Sequence, residues 1–145
     1  ASGSKQVGCL VGDDILNVTN SYATVNIVGN GSEVGGLVGR LNYPDGSIFV
    51  NSYALGSIDG NYSLGGLVGN VSTDNVLFMN SYSALQVRSY RSTQPFYVGG
   101  VAGFVSGSNL TTTNVTWTNH TDDNATHCRG ALATMAGSAI TGCTP

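Results

Sequence analysis

Apolar residues in this chain occur in short runs between glycine-rich and polar segments, and these runs repeat. The pentad Gly-Gly-Leu-Val-Gly at 35–39 recurs unchanged at 65–69. Related pentads begin at Gly8 and Gly99, and a degraded copy begins at Gly130, so the steps between starts are 27, 30, 34 and 31 residues. Self-similarity at a period of about 20–50 residues is typical of solenoids and repeat arrays.

Between the pentads lie strand-like segments. The runs 47–54 and 75–82 are rich in β-branched and aromatic residues, and Asp-Gly turn signals at 45–46 and 59–60 bound the first of them. No segment has a sustained helical period, and 21 glycines would interrupt most helices. The alternative of a short capping helix is open only at 130–139, where Ala, Leu and Met cluster.

A period of two within strands and of about 30 between repeats predicts an all-β parallel β-solenoid of four to five coils in a single domain, 1–145. The predicted coils are 8–34, 35–64, 65–98 and 99–129, followed by a partial coil at 130–145. Like residues should then stack in columns about 4.8 Å apart. The pentad glycines would permit close backbone approach. Leu37 and Val38 should point to opposite sides of one strand.

Two further columns follow from the phrase Asn-Ser-Tyr. Asn20, Asn51 and Asn80, with Asn114 in the fourth coil, are predicted to form a structural amide ladder. Tyr22, Tyr53 and Tyr82 form an aromatic column that is either packed in or half in the core, or exposed as a stacking strip for sugar.

Charge is scarce in this chain. Charged residues make up 9% of the chain, the net charge is −3 and the pI is about 4.9. These values argue against nucleic-acid or anionic-membrane partners, and the sequence contains no apolar run long enough for a membrane span. The start at Ala1 suggests a mature or excised product.

N-glycosylation sequons supply another source of solubility. Eight asparagines stand in Asn-x-Ser/Thr: Asn17, Asn30, Asn61, Asn70, Asn109, Asn114, Asn119 and Asn124. We expect N-linked glycans on them and an extracellular location, secreted or on the cell surface. The alternative is polar turn chemistry in a bacterial surface protein. Asn30, Asn61 and Asn124 each follow a ladder asparagine by ten residues, which predicts a crowded column of sugars at one corner.

Three cysteines suggest one disulfide, and Cys128 with Cys143 is the expected pair. Cys9 is then either a small buried thiol or a link to another chain. His120 and His127, beside Cys128, Asp122 and Asp123, lack the spaced pairs of a zinc site, so no metal and no cofactor other than glycans is expected. Asp13, Asp14, Asp59 and Asp74 could be paired carboxylates of a carbohydrate-active enzyme. Turn formation explains them better, and we predict no enzyme.

The order of pentad, aliphatic run and Asn-Ser-Tyr-Ala resembles the GLUG motif of bacterial IgA-peptidase N-terminal regions and surface adhesins. The likeness is carried by 35–39 with 51–58 and by 65–69 with 80–87, and more weakly by 8–12 with 20–27. This resemblance implies a β-solenoid stalk or adhesive array and assigns no catalytic residues.

Both ends of a solenoid are rows of unpaired backbone groups, and neither end of this chain has an evident charged cap. The sequence therefore predicts a structural protomer that stacks on copies of itself, head to tail, into a glycan-coated fibre or stalk. The alternative is a carbohydrate- or host-binding adhesin module that uses the tyrosine column.

Overall fold

The protein is an all-β solenoid of parallel sheets, as predicted. A computed structural model describes residues 6–28, 30–89, 97–117 and 132–134. Within these residues the backbone forms strands, turns and bends but no helix. Leu132–Thr134, inside the segment where a capping helix was the alternative, is a strand.

Three parallel sheets run along the solenoid. Sheet A contains β1 (Gln6–Gly8), β5 (Glu33–Gly35), β9 (Ser63–Gly65) and β12 (Tyr97–Gly99). Sheet B contains β2 (Val11–Asp13), β6 (Val38–Leu41), β10 (Val68–Val71), β13 (Ala102–Val105) and β15 (Leu132–Thr134). Sheet C contains β3 (Asn17–Thr19), β4 (Tyr22–Val28), β7 (Ile48–Val50), β8 (Tyr53–Gly60), β11 (Leu77–Ser89) and β14 (Thr111–Trp117). Strands β1–β4 form coil one, β5–β8 coil two, β9–β11 coil three and β12–β14 coil four.

Strand pairing follows the period of the sequence. In sheet A, Gln6 pairs with Glu33, Glu33 with Ser63, and Ser63 with Tyr97. The offsets are therefore 27, 30 and 34 residues, the same as the steps between pentads. The columns predicted from the repeat are thus real rows of side chains.

The pentad is a corner, so the expectation that Leu37 and Val38 lie on opposite sides of one strand is wrong. Strand β5 ends at Gly35 and β6 begins at Val38, and the chain bends between them. Both side chains are fully buried because the bend turns each one into the core. The Leu37 N–H donates to the Leu67 carbonyl at 3.0 Å, so the corners of successive coils lie directly on one another.

Glycine is required at this corner because backbone fills the space where a side chain would begin. A Cβ on Gly69 would lie 2.5 Å from the Gly39 carbonyl oxygen and from the Val34 nitrogen. Real Cβ contacts are not that short, so the predicted close approach of neighbouring coils is confirmed.

The core consists of inward-facing apolar rows. Phe49 and Phe78 stack with ring centroids 4.8 Å apart, and Val34 and Leu64 form a neighbouring row in sheet A. Ser52 is buried among them and is satisfied internally, since its hydroxyl donates to the Val50 carbonyl at 2.9 Å.

The fifth pentad pairs with the fourth in a shifted register. The repeat predicts that Ala102 lies beside Ala133, but Ala102 pairs with Leu132. An irregularity between Ala102 and Phe104 then brings Phe104 beside Ala133. The strand is parallel as expected, and the offset is one residue shorter at its start.

Candidate functional site: surface rows and the open edge of coil one

The asparagine column is a surface ladder at a bend of the chain. Asn20, Asn51, Asn80 and Asn114 are exposed and have φ of 49°, 50°, 46° and 50°. This left-handed conformation is costly for most residues, and asparagine tolerates it better than other non-glycine residues. The Asn51 amide nitrogen donates to Asn20 Oδ1 at 3.0 Å, and that of Asn114 donates to Asn80 Oδ1 at 2.9 Å. The predicted structural ladder is present, and its position is set by backbone conformation.

A second asparagine pair was not anticipated from the sequence. Asn75 and Asn109 also have positive φ, 58° and 56°, and the Asn109 amide nitrogen donates to Asn75 Oδ1 at 3.1 Å. Their only signal in the sequence is an asparagine shortly before an apolar run. The 34-residue offset would have connected them.

Aspartates in the loops between sheets B and C hold the loop of the next coil. Asp14 Oδ1 accepts the N–H groups of Asn42 and Tyr43 at 2.6 and 2.9 Å. Asp74 Oδ1 accepts the Ser108 N–H at 2.7 Å. Asp14 and Asp74 therefore have the turn role expected for them.

Asp45 belongs to the same row of carboxylates. It accepts the Thr73 hydroxyl at 2.7 Å and the Asp74 N–H at 3.1 Å. These two hydrogen bonds, that of Thr73 foremost, lower the pKa of Asp45. Asp59, by contrast, lies within β8 and pairs with Arg88, so its predicted place in a corner turn is wrong.

A polar cluster connects coils one, two and three between sheets A and B. Glu33 Oε2 accepts from the Gln6 amide at 2.7 Å, and Glu33 Oε1 accepts from the Asn70 amide at 2.6 Å. Arg40 lies beside it and donates from Nε to Asp13 Oδ1 at 2.8 Å. The hydrogen bond to Asp13 is the main reason that the pKa of Arg40 is raised. Asn70 is therefore a structural link as well as a sequon.

The tyrosine column lies on the outer surface. Rings of Tyr22 and Tyr53 stack 5.2 Å apart at 11°, and those of Tyr53 and Tyr82 stack 4.6 Å apart at 4°. Tyr22 and Tyr82 are exposed and Tyr53 is half-buried, so packing in the core is wrong for the column. Because the rings cover one another, both faces of Tyr53 are occupied, and the outer face of Tyr22 lies at the end of the stack.

Sequons differ in their surroundings. Asn17 and Asn30 are exposed, Asn61 and Asn70 are half-buried, and Asn109 and Asn114 are exposed members of the asparagine pairs above. Val28 pairs with Asp59, and the same 31-residue offset relates Asn30 to Asn61, as the predicted corner requires. Asn119 and Asn124 lie outside the described residues.

Cys9 is exposed, so the expectation of a buried thiol is wrong. Its counterparts Gly36 and Gly66 are buried between coils, whereas coil one is the edge of the stack. The alternative of a link to another chain stays a prediction. The predicted disulfide Cys128–Cys143 lies outside the described residues, as do His120, His127, Asp122 and Asp123.

The open edge of coil one is the main apolar exposure of the described chain. Strands β1, β2, β3 and β4 end the three sheets. Leu10 is 44% exposed and Leu16 46%, although their counterparts Leu37, Leu67 and Val76 are at most 1% exposed. Tyr22 and Val28 add 63% and 61% on the same coil. This edge therefore presents core residues and unpaired backbone groups together.

Comparison with known proteins gives no relative: no protein-family model, curated protein or solved structure matches the chain. Within the described residues, no helical segment has the length and apolar character to cross a membrane. The same part of the chain holds no group of three or more His, Cys, Asp or Glu side chains placed to bind a metal ion.

Proposed function

We propose that this protein is a structural, extracellular, N-glycosylated protomer that stacks head to tail into a fibre or stalk. The observation that carries the proposal is the exposure of Leu10 and Leu16 at the edge of coil one. These positions are buried in the inner coils, and only another coil placed on this edge would bury them here. Fully burying a leucine side chain is worth about 1.5–3 kcal/mol.

A second copy of the chain is the occupant that best fits this edge. All three sheets are parallel along the solenoid, and a copy in the same orientation would continue each of them. The asparagine ladder has one direction, since each printed bond runs from the later coil to the earlier one, as from Asn51 to Asn20. A head-to-tail copy preserves that direction. Because this contact joins two different surfaces and does not close, it generates filaments.

The test is assembly of the full chain, observed by negative-stain microscopy and by sedimentation at increasing concentration. We expect filaments whose protomers are stacked along the solenoid axis. Leu10→Lys should abolish them, because it places a charge in the contact. Tyr43→Lys is the matched control, since Tyr43 is an exposed aromatic residue in the loop between β6 and β7 and should leave assembly unchanged.

Monomers at every concentration, or equal loss of filaments in both variants, would contradict the assembly. The resemblance to GLUG repeats supports a stalk but does not choose among its uses.

A carbohydrate-binding adhesin is the second candidate, favoured by the exposed tyrosine column. Sugar stacks on the face of an aromatic ring, but both faces of Tyr53 are covered by its neighbours. The outer face of Tyr22 is the remaining platform, and it belongs to the edge assigned to assembly. Glycan binding that is lost in Tyr22→Ala while filaments persist would favour this candidate.

A further inference from the structure

We infer that the sequons divide by their place in the rows of the solenoid. In the folded protein Asn17 and Asn30 carry glycans, whereas Asn70 is a structural amide that stays unmodified. This inference deepens the proposed function and rests on its glycosylated, extracellular protomer.

The chemistry of attachment sets two requirements. The asparagine Nδ2 forms a bond to the anomeric carbon of a lipid-pyrophosphate-linked sugar, the pyrophosphate leaves with the bonding electrons, and the amide loses one proton. An occupied sequon in a folded protein therefore needs an Nδ2 that can give up one N–H. It also needs open space beyond that nitrogen for a sugar ring.

Asn17 meets both requirements. It is the first residue of β3, where its neighbour Val18 is 3% exposed and faces the core, so alternation along the strand directs Asn17 outwards. Its row partner Ile48 lies on one side, and β3 is the edge strand of sheet C. Among the described residues its side chain has no hydrogen-bond partner.

Asn30 meets them in a different way. It lies in the loop between β4 and β5, at a corner of coil one, and it is exposed. Like Asn17, it has a side-chain amide without a hydrogen-bond partner in the described part of the chain.

Asn70 meets neither. It lies in the middle of a row, with Arg40 on one side and Phe104 on the other, each about 4.8 Å away along the sheet. That spacing is about the thickness of a sugar ring. Its Nδ2 donates to Glu33 at 2.6 Å, and its Oδ1 accepts the Ser72 hydroxyl at 2.9 Å. A glycan here would have to displace a row neighbour and weaken the bond to Glu33.

The division is compatible with stacking. Side chains that point out of a sheet wrapped around the axis extend sideways from the solenoid, so a glycan on Asn17 extends away from the axis. The edge of coil one then stays accessible to a second copy.

The experiment is site-by-site occupancy in the full chain secreted from a eukaryotic host and purified as folded protein. Enzymatic removal of N-glycans in ¹⁸O-water converts each occupied Asn to ¹⁸O-labelled Asp, which peptide mass spectrometry locates. We expect label at Asn17 and Asn30 and none at Asn70. Thr19→Ala and Ser32→Ala each remove one sequon and should each remove the mass of one glycan. Ser72→Ala removes the sequon of Asn70 and should leave the glycan mass unchanged.

Label at Asn70 in the folded secreted protein, or its absence at Asn17 or Asn30, would overturn this inference. The glycosylated protomer would stand if other sequons were labelled. Absence of label at all eight sequons would overturn the glycosylation part of the proposed function as well. Filament formation by the same material reports separately on assembly.

Discussion

Coil one and coil three contain the same sequence motif in different surroundings. In coil three, Leu67 and Gly69 lie between neighbouring coils, and both are buried. In coil one, Leu10 is 44% exposed, and a Cβ on Gly12 would have only an ordinary contact, 3.5 Å from the Gln6 carbonyl oxygen. The motif fixes the shape of the corner, but its burial depends on the coil stacked on either side.

The difference teaches that a repeat unit here is incomplete by itself. Each coil supplies half of the environment of the next, so residues at an edge keep the identity of core residues without the burial. This is why the same leucine position stabilises the inner coils and exposes apolar surface at the edge. Substitutions at matched motif positions can measure the contrast.

The largest effect is expected at the leucine position. Leu67→Ala should lower the free energy of unfolding by about 4 kcal/mol, because it leaves a cavity in a packed core. Leu10→Ala should cost less than about 1 kcal/mol in the monomer, since its side chain is already partly in water. Chemical denaturation of both variants, below the concentration at which filaments form, gives the two values. Equal costs would break the comparison.

The glycine position gives the next largest difference. Gly69→Ala should destabilise the protein by about 3 kcal/mol, because its Cβ would overlap backbone of coil two. Gly12→Ala, at the same motif position in coil one, should change stability by less than about 1 kcal/mol. Thermal unfolding followed by circular dichroism compares them. A large loss in Gly12→Ala would mean that coil one is packed as tightly as the inner coils.

The asparagine ladder should show the smallest difference between coils. Asn20→Ala and Asn51→Ala should each cost about 1–2 kcal/mol, because both positions have the same left-handed backbone. Asn20→Gly and Asn51→Gly should recover most of that loss, since glycine adopts positive φ freely. Denaturation curves of the four variants test this. A cost at Asn51 alone would mean that stacking, and not local conformation, sets the preference for asparagine.

Sequence reasoning predicted the parts of the fold that depend on repetition. The offsets of 27, 30 and 34 residues became the register of sheet A, and the Asn-Ser-Tyr phrase became two surface rows. It was wrong about Leu37 and Val38 because a pattern of apolar residues does not distinguish a strand from a bend between two strands. It missed Asn75 and Asn109 because positive φ has no pattern of its own in a single sequence. The exposure of Cys9 was missed because the motif is the same in an edge coil and an inner one.

The sequence by itself determined the period, the rows and the residues that each row contains, because a parallel stack in register needs only like residues at a constant offset. The tertiary structure alone decided which members of a row are buried, which asparagine amides are bonded, and which edge is left open. Those properties depend on the number of neighbours that a residue has along the axis. That number is set by the coil's position in the stack and is not written in the motif.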